Sequence, residues 1–276
     1  MSTQLGKLSV GSTVFLNIEG GKRDFIIVNQ GLPSSDYDNS CNGTWLLMKD
    51  IYEQRAWNDI KTSDSYSMSL IHNYLNSKFL ELLDPDIQDV INLVEIPCAN
   101  TGDTTDSSAS GSMTDSTTSG SITVMTKIFL LSSAETGISR SYVTAEGSIL
   151  EYFTPSGYDA RIGYYEGKAQ GWWLRSIHTR KKHTAACIDN LGDVSWSIVD
   201  NDLSIGVRPA MILPSALIVD DDGFVRPVSA SMGVQGSVTI DGVQKNLTGE
   251  SYVNINGVWK PIAKSYICID SVWKAI

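Results

Sequence analysis

The sequence predicts an α+β domain of short strands, few helices and long loops, followed by a small repetitive β tail. Three observations carry that prediction. Short β-rich runs alternate with turn residues through residues 1–216, one amphipathic helix stands out near residue 75, and residues 236–276 hold three copies of one unit. Strands alternate apolar positions with a period of two or run apolar throughout, whereas helices repeat them every three or four residues.

The elements follow in order. Val14-Phe15-Leu16-Asn17-Ile18 and Phe25-Ile26-Ile27-Val28 flank Glu19-Gly20-Gly21-Lys22, two β-rich runs around a glycine turn, hence a hairpin. Residues 32–43 read as a polar loop, and Trp45-Leu46-Leu47-Met48 returns as a buried strand. From Ser67 to Asp84 the positions Ile71, Tyr74, Leu75, Phe79, Leu82 and Leu83 predict a helix, with His72, Asn73, Asn76, Lys78 and Glu81 on its solvated face. Asp84-Pro85 stops it, because proline lacks the helical N–H and restricts the residue before it. A turn is expected at Pro85-Asp86-Ile87-Gln88, then a strand from Val90 to Ile96 ending at Pro97.

Residues 100–121 hold one Met and no other large apolar side chain. Such a segment buries too little to offset its ordering entropy and reads as a mobile surface loop. A loop resting on a neighbouring subunit, or facing a ligand, is the alternative. Beyond it, Ile122 to Leu131 is strand-like, Ser132-x-x-Glu135 forms a capping box for a turn ended by Gly137, and a short helix is expected over 144–153. Strands follow at Trp172–Ser176, Ala185–Ile188, Val194–Val199 and Ile205–Leu213, completing the α+β pattern. Residues 217–235 read as a linker. Within them Asp220-Asp221-Asp222-Gly223 is a tight turn, because a calcium loop needs oxygens at alternating positions and a terminal Glu.

In the tail, VTIDGVQKNL (238–247), VNINGVWKPI (253–262) and ICIDSVWKAI (267–276) repeat one pattern. Asp241-Gly242 and Asn256-Gly257 favour positive φ at both turn positions, so each copy is a small hairpin. One hairpin cannot bury a face alone. The tail therefore docks on the domain, another subunit or a partner, with Trp259 and Trp273 as anchors at matched positions.

Composition narrows the function. The chain carries 31 acidic and 21 basic residues, a net charge of -10. That balance argues against nucleic acid, which needs cations to displace counterions from phosphates, and against anionic lipid. No run of eighteen apolar residues exists and the N-terminus lacks an apolar stretch, so no membrane span and no signal peptide are expected. Cys41, Cys98, Cys187 and Cys268 are dispersed, with no C-x-x-C pair, and read as buried free thiols made in a reducing compartment. No metal and no cofactor is expected.

The sequence holds no G-x-S-x-G, no P-loop, no dinucleotide fingerprint and no H-E-x-x-H, so no enzyme activity is expected. The basic turn from Ser176 to His183 is either a solvated loop or a binding loop for an anionic glycan. Candidate contact groups there are Trp172, Trp173, His178, Arg180, Lys181 and Lys182, the two tryptophans being alternatively core. Arg175 and Arg208 lie inside apolar strands. A buried guanidinium requires carboxylates or carbonyls, so both read as internal clamps.

Trp172-Trp173-Leu174-Arg175-Ser176, the strand and turn from Ala185 to Gly192, and Gly206-Val207-Arg208-Pro209-Ala210 resemble the DUF6273 family, common in Firmicutes phages and gut bacteria. Asp24–Val28, Lys49-Asp50-Ile51-Tyr52, Trp57-Asn58, Tyr74-Leu75-Asn76-x-x-Phe79 and Phe129–Ser132 extend the likeness over residues 8–215. The resemblance implies a C-type-lectin-like fold, similar to formylglycine-generating enzymes and to the variable tip proteins of phages. Arg175-Ser176 and Gly206-Val207-Arg208 then look like equivalents of that group's Arg–Gly–Gly–Ser–Trp stretch and terminal Gly–Phe–Arg strand. Those enzymes depend on a cysteine pair near the end of the fold, where this domain has only Cys187. The tail units resemble C-terminal modules of phage tail and capsid appendages.

The resemblance therefore implies a phage virion structural protein, a tail or head fibre component made in the bacterial cytoplasm. It would present a lectin-like domain for attachment to a host-surface glycan or for decoration. Its tail would dock to other virion proteins or hold a homo-oligomer, a trimer by likeness to phage appendages. The alternatives are a bacterial carbohydrate-binding module of non-phage origin and a degenerate enzyme of the formylglycine-generating type.

Overall fold

In the computed structural model the chain forms two units, residues 1–225 and 226–276. The structure describes residues 2–60, 65–101, 119–138, 146–154, 157–178, 183–200 and 202–227, together with six short strands between 237 and 275.

The first unit is mostly β with few helices. One antiparallel sheet orders Thr13–Ile18, Gly21–Gln30, Thr44–Met48, Ala210–Leu213 and Ile128–Phe129. A second orders Val194–Ile198, Thr184–Ile188, Trp172–Ile177, Gly206–Val207 and Glu53–Gln54, with the third and fourth strands parallel. The expected hairpin is present, and its turn puts Glu19 at φ 53° and Gly20 at φ 71°, the double positive φ that matches the right-handed twist of the flanking strands. Residues 205–213 are not one strand. They leave the second sheet after Val207 and enter the first at Ala210, so Arg208-Pro209 marks the crossing.

The helix near residue 75 runs from Leu70 to Leu82, shorter than the expected 67–84. Ser69 caps it, its hydroxyl accepting from the His72 N–H, and Leu75–Phe79 widens into a π turn. Asn76, expected in solvent, turns inward there. Its Oδ1 accepts from the N–H groups of Lys127 and Ile128 and from the Thr126 hydroxyl, and its amide donates to the carbonyls of His72 and Ile128. This one side chain interrupts the expected strand 122–131, which divides into Ser119–Thr126 and Ile128–Phe129.

Four further expectations are corrected. Pro85 opens a helix, Pro85–Val90, instead of a turn, because its fixed φ and missing N–H suit the first helical position. The next strand accordingly starts at Val94, and it continues through Pro97 to Thr101, paired over eight positions with Ser119–Thr126. Both ends of the segment expected to be a loop therefore belong to a ribbon, and residues 102–118 lie outside the described residues. Of the helix expected over 144–153, only Glu151–Phe153 is helical among the described residues, as one 3-10 turn.

Ile218–Val219 pairs with Thr3–Gln4, carrying the first unit beyond residue 216 to Val225. Asp220-Asp221-Asp222-Gly223 is a tight turn, with the Asp220 carboxylate accepting from the N–H groups of Asp222 and Phe224. In the second unit, three antiparallel strand pairs join Ser237–Ile240 with Val243–Asn246, Tyr252–Ile255 with Val258–Pro261, and Tyr266–Ile269 with Val272–Ala275. No described helix is long and apolar enough to cross a membrane.

Asn76→Ala strips an acceptor from the Lys127 and Ile128 N–H groups and is expected to cost about 2–4 kcal/mol, while Asn76→Asp, which keeps the acceptor, costs less. Urea unfolding of the two variants checks this, and equal losses would contradict the acceptor role.

Candidate functional site

The second sheet places the residues singled out from the sequence. Its strand Trp172–Ile177 is buried at every position, so Arg175 projects into the interior with no exposed surface. There it forms a bidentate pair with Glu135, Nη1 to Oε2 at 2.6 Å and Nη2 to Oε1 at 2.7 Å. The remaining N–H groups donate to the carbonyls of Pro97, Leu130 and Glu146. Arg175 thus ties the sheet to the 94–101 strand, to the 130–135 segment and to the 146–148 segment.

Glu135 is gripped from its other sides. Its Oε2 accepts from the Ser132 N–H while the Ser132 hydroxyl accepts from the Glu135 N–H, the reciprocal capping box read from the sequence. The Tyr37 hydroxyl donates to Glu135 Oε1 at 2.9 Å. Gly147 admits that hydroxyl: a Cβ there would stand 2.0 Å from it, and the glycine's φ is 88°. Beside the pair, Glu146 is buried with Oε1 accepting from the Ala99 N–H, and its burial pushes its carboxyl above the usual glutamate range.

Arg208 is equally buried but differently held. Its Nε donates to the Met48 carbonyl at 2.8 Å and its guanidinium lies 5.0 Å from the Trp172 ring. Nη1 meets no hydrogen-bond partner among the described residues, and burial pulls the group down to about 10. Elsewhere, Met48, Asp50, Ile51 and Tyr52 line a cleft of ≈ 180 Å³ with Lys22, Arg23 and Asp24. Cations and carboxylates mix there.

Trp172 and Trp173 are corrected to core residues. Neither has exposed surface, and their indole N–H groups donate to the carbonyls of Arg161 and Arg55, both at 2.8 Å, so neither ring can meet a ligand. His178 is also buried, its ring centroid 4.5 Å from that of Trp196, which removes it from the contact surface. Arg180, Lys181 and Lys182 lie outside the described residues. The described backbone nevertheless fixes both ends of their loop, because His178 N–H donates to the Thr184 carbonyl and Val199 N–H to that of His183.

This end of the sheet carries a residue the sequence reading missed. Trp196 sits half-buried on Val194–Ile198, the outermost strand, with Ile198 exposed beside it and paired with Thr184. The alternation in Val194-Ser195-Trp196-Ser197-Ile198 was the available signal: three apolar residues on one face of an edge strand. Cys41, Cys98 and Cys187 are free and buried, and burial raises their thiols to about 11, 12 and 12. No group of three or more His, Cys, Asp or Glu is arranged for a metal among the described residues.

A mostly β α+β domain, centred on a buried arginine–carboxylate pair and ending in a solvent-facing sheet edge, is the class of protein these features define. The chain belongs to the family described as Domain of unknown function (DUF6273), which matches residues 42–215. The match begins later than residue 8, although the 13–30 hairpin shares its sheet with the matched strands 44–48 and 210–213. No curated protein and no solved structure matches the chain.

Removing one partner of a buried ion pair strands the other charge and typically costs about 3–5 kcal/mol. Arg175→Ala is therefore expected to lower the unfolding free energy by that amount, and Arg175→Lys, lacking the planar fork, to restore little of it. An unchanged melting temperature in Arg175→Ala would remove the pair from its central place. Glu146 supplies a pH test. A carboxyl raised in the folded state contributes stability that is present below the unfolded glutamate value and is lost as pH rises through the folded one. Glu146→Gln is thus expected to gain stability relative to the parent as pH increases from about 4 to 7, read from paired melting curves.

Proposed function

We propose that this chain is a structural protein of a phage particle that displays a C-type-lectin-like domain outward and uses its tail as the attachment device. Its work is surface recognition without covalent chemistry. The observation that carries the reading is the tail. Three strand pairs of the same four-step register follow a folded unit, and their V-N-I-N-G-V-W-K pattern resembles appendage modules. Repeats of this kind serve assembly, because a lone strand pair is marginal in water and gains stability only from a neighbour.

The recognition surface is assigned to the end of the second sheet that carries Trp196 and Ile198, where the chain leaves the sheet after His178 and returns at Thr184. Arg180, Lys181 and Lys182 give this end a positive charge on a chain of net charge -10. An anionic host-surface glycan suits it, with the cations meeting carboxylate or phosphate and the indole stacking on a sugar face. The partners are then other virion proteins through the tail and a cell-wall polymer through the domain. The buried, raised thiols of the described cysteines suit a binding role, since an oxidase of the formylglycine-generating type needs reactive ones.

Gold-labelled antibody against residues 1–225 is expected to decorate purified phage particles in electron micrographs, at the tail tip for a receptor binder or over the head for a decoration protein. Particles without label would favour the bacterial carbohydrate-binding module instead. Changing Arg180, Lys181 and Lys182 together to Ala is expected to weaken binding to host cells by about tenfold or more. An unchanged binding curve would remove this end of the sheet from recognition.

A further inference from the structure

Three arginines are buried among the described residues, and they are not equally satisfied. Arg175 spends its donors on Glu135 and three carbonyls, and Arg161 donates to the carbonyls of Gly192 and Thr136. Arg208 has the Met48 carbonyl and the Trp172 face, with Nη1 left without a partner among the described residues. A cation taken out of water is expensive unless a counter-charge comes with it, and orphaned polar atoms in an interior are uncommon.

Met48, whose carbonyl receives Arg208, also lines the cleft of ≈ 180 Å³ formed with Lys22, Arg23, Asp24, Asp50, Ile51 and Tyr52. Asp50, in the same lining, is one of the groups whose charge acts on Arg208. The buried guanidinium is therefore within electrostatic reach of the cleft without being part of its wall. A buried charge is screened much less than an exposed one, so its field extends further.

The charges at the cleft do not cancel. Asp24 is matched by Lys49 at 3.8 Å. Lys22 holds its ammonium 3.3 Å from the centre of the Phe15 ring, and the Arg23 guanidinium lies 5.9 Å from that of Tyr52. Rings are neutral partners, and neither cation meets a carboxylate in an ion pair among the described residues. Lys22, Arg23 and Arg208 thus stand against Asp50 in the lining and against Glu19 beyond it, whose carboxylate accepts from the Tyr52 hydroxyl at 3.2 Å. The balance is positive on a chain of net charge -10. The volume falls below the roughly 300–1,000 Å³ that encloses a drug-sized molecule, so the cleft suits one small charged group. Lysine and arginine meet phosphate and carboxylate oxygens through charge-assisted hydrogen bonds.

We infer that this cleft binds a small oxyanion, a phosphate or a carboxylate, held by Lys22 and Arg23 with the buried charge of Arg208 behind them. Residues 48–52 lead into Glu53–Gln54, the edge strand of the second sheet opposite Val194–Ile198. The site is therefore separate from the recognition surface proposed above and does not rest on it.

Calorimetric titration of the full chain with sodium phosphate, sodium glucuronate and glucose, at one ionic strength held with sodium chloride, tests the inference. Saturation at about millimolar concentration is expected for phosphate, glucuronate or both, and none for glucose. Phosphate alone identifies a phosphoryl group as the ligand, and saturation by glucuronate admits a sugar carboxylate. Arg23 and Asp50 are exposed, so their substitution leaves the fold intact. Arg23→Gln is expected to weaken binding by about two- to fivefold, and Asp50→Asn, which removes the opposing charge, to tighten it by a similar factor. Arg208→Met is expected to weaken it as well; its melting curve shows whether it folds, and the two exposed variants decide the matter where it does not. No saturation by either anion, equal binding of glucose, an indifferent Arg23→Gln, or an Asp50→Asn that weakens binding overturns the inference. So does loss of anion binding when Arg180, Lys181 and Lys182 are changed to Ala, which would place the anion at the other edge of the sheet. Anion binding that survives that triple change while host-cell binding is unaltered would keep the cleft and sink the recognition surface.

Discussion

The ion pair between Arg175 and Glu135 joins segments of the first unit that lie far apart in the chain. Both side chains are without exposed surface. Desolvating a guanidinium and a carboxylate is expensive, and their attraction repays it only when every remaining donor and acceptor is satisfied. Here each guanidinium nitrogen finds an oxygen, and Glu135 is further held by Tyr37 and by the backbone of Ser132. Segments without regular structure, 130–138 and 146–150, are thereby pinned to the second sheet and to the long ribbon. A charge that must be satisfied from all sides leaves those segments few other places to go.

The tryptophans do related work. Trp45, Trp57, Trp172 and Trp173 are buried, and each indole N–H donates to a carbonyl at 2.8–3.1 Å. Each ring fills the core while its nitrogen satisfies a carbonyl that could not otherwise be buried without cost. This is why a Trp-Trp pair next to a basic loop proved to be core. The pair belongs to a strand covered on both faces, and the indole left half-buried is Trp196 on the outermost strand. Arg208 shows the contrast: with a hydrogen bond to the Met48 carbonyl, a ring contact and an Nη1 that meets no partner among the described residues, it is a buried cation whose charge is held down by its surroundings.

Much of the architecture was legible wherever the signal was local. The Glu19-Gly20 turn, the capping box at Ser132 and Glu135, the helix around residue 75 and the acidic turn at 220–223 each depend on residues within a few positions of one another. Local reading failed where an element's fate lay with a distant partner. Pro85 ended one helix and began another. Asn76 fitted the polar face of a helix by spacing, yet it caps a strand some fifty residues away. The two-letter pattern of apolar and polar cannot distinguish a solvated amide from one that satisfies a buried backbone.

By itself, the sequence determined the α+β class, the repeat of the tail, the acidic balance and the place of Arg175 in an apolar strand. These follow from periodicity, turn chemistry and charge, which act over one turn of helix or one step of strand. Only the tertiary structure decided that Arg175 pairs with Glu135, 40 positions away, that Trp172 and Trp173 are core, and that residues 205–213 cross between two sheets at Arg208. The physical reason is that desolvation is settled by what surrounds a group in space. A guanidinium written between apolar neighbours announces that it needs partners, and the fold alone decides which carboxylate and which carbonyls arrive.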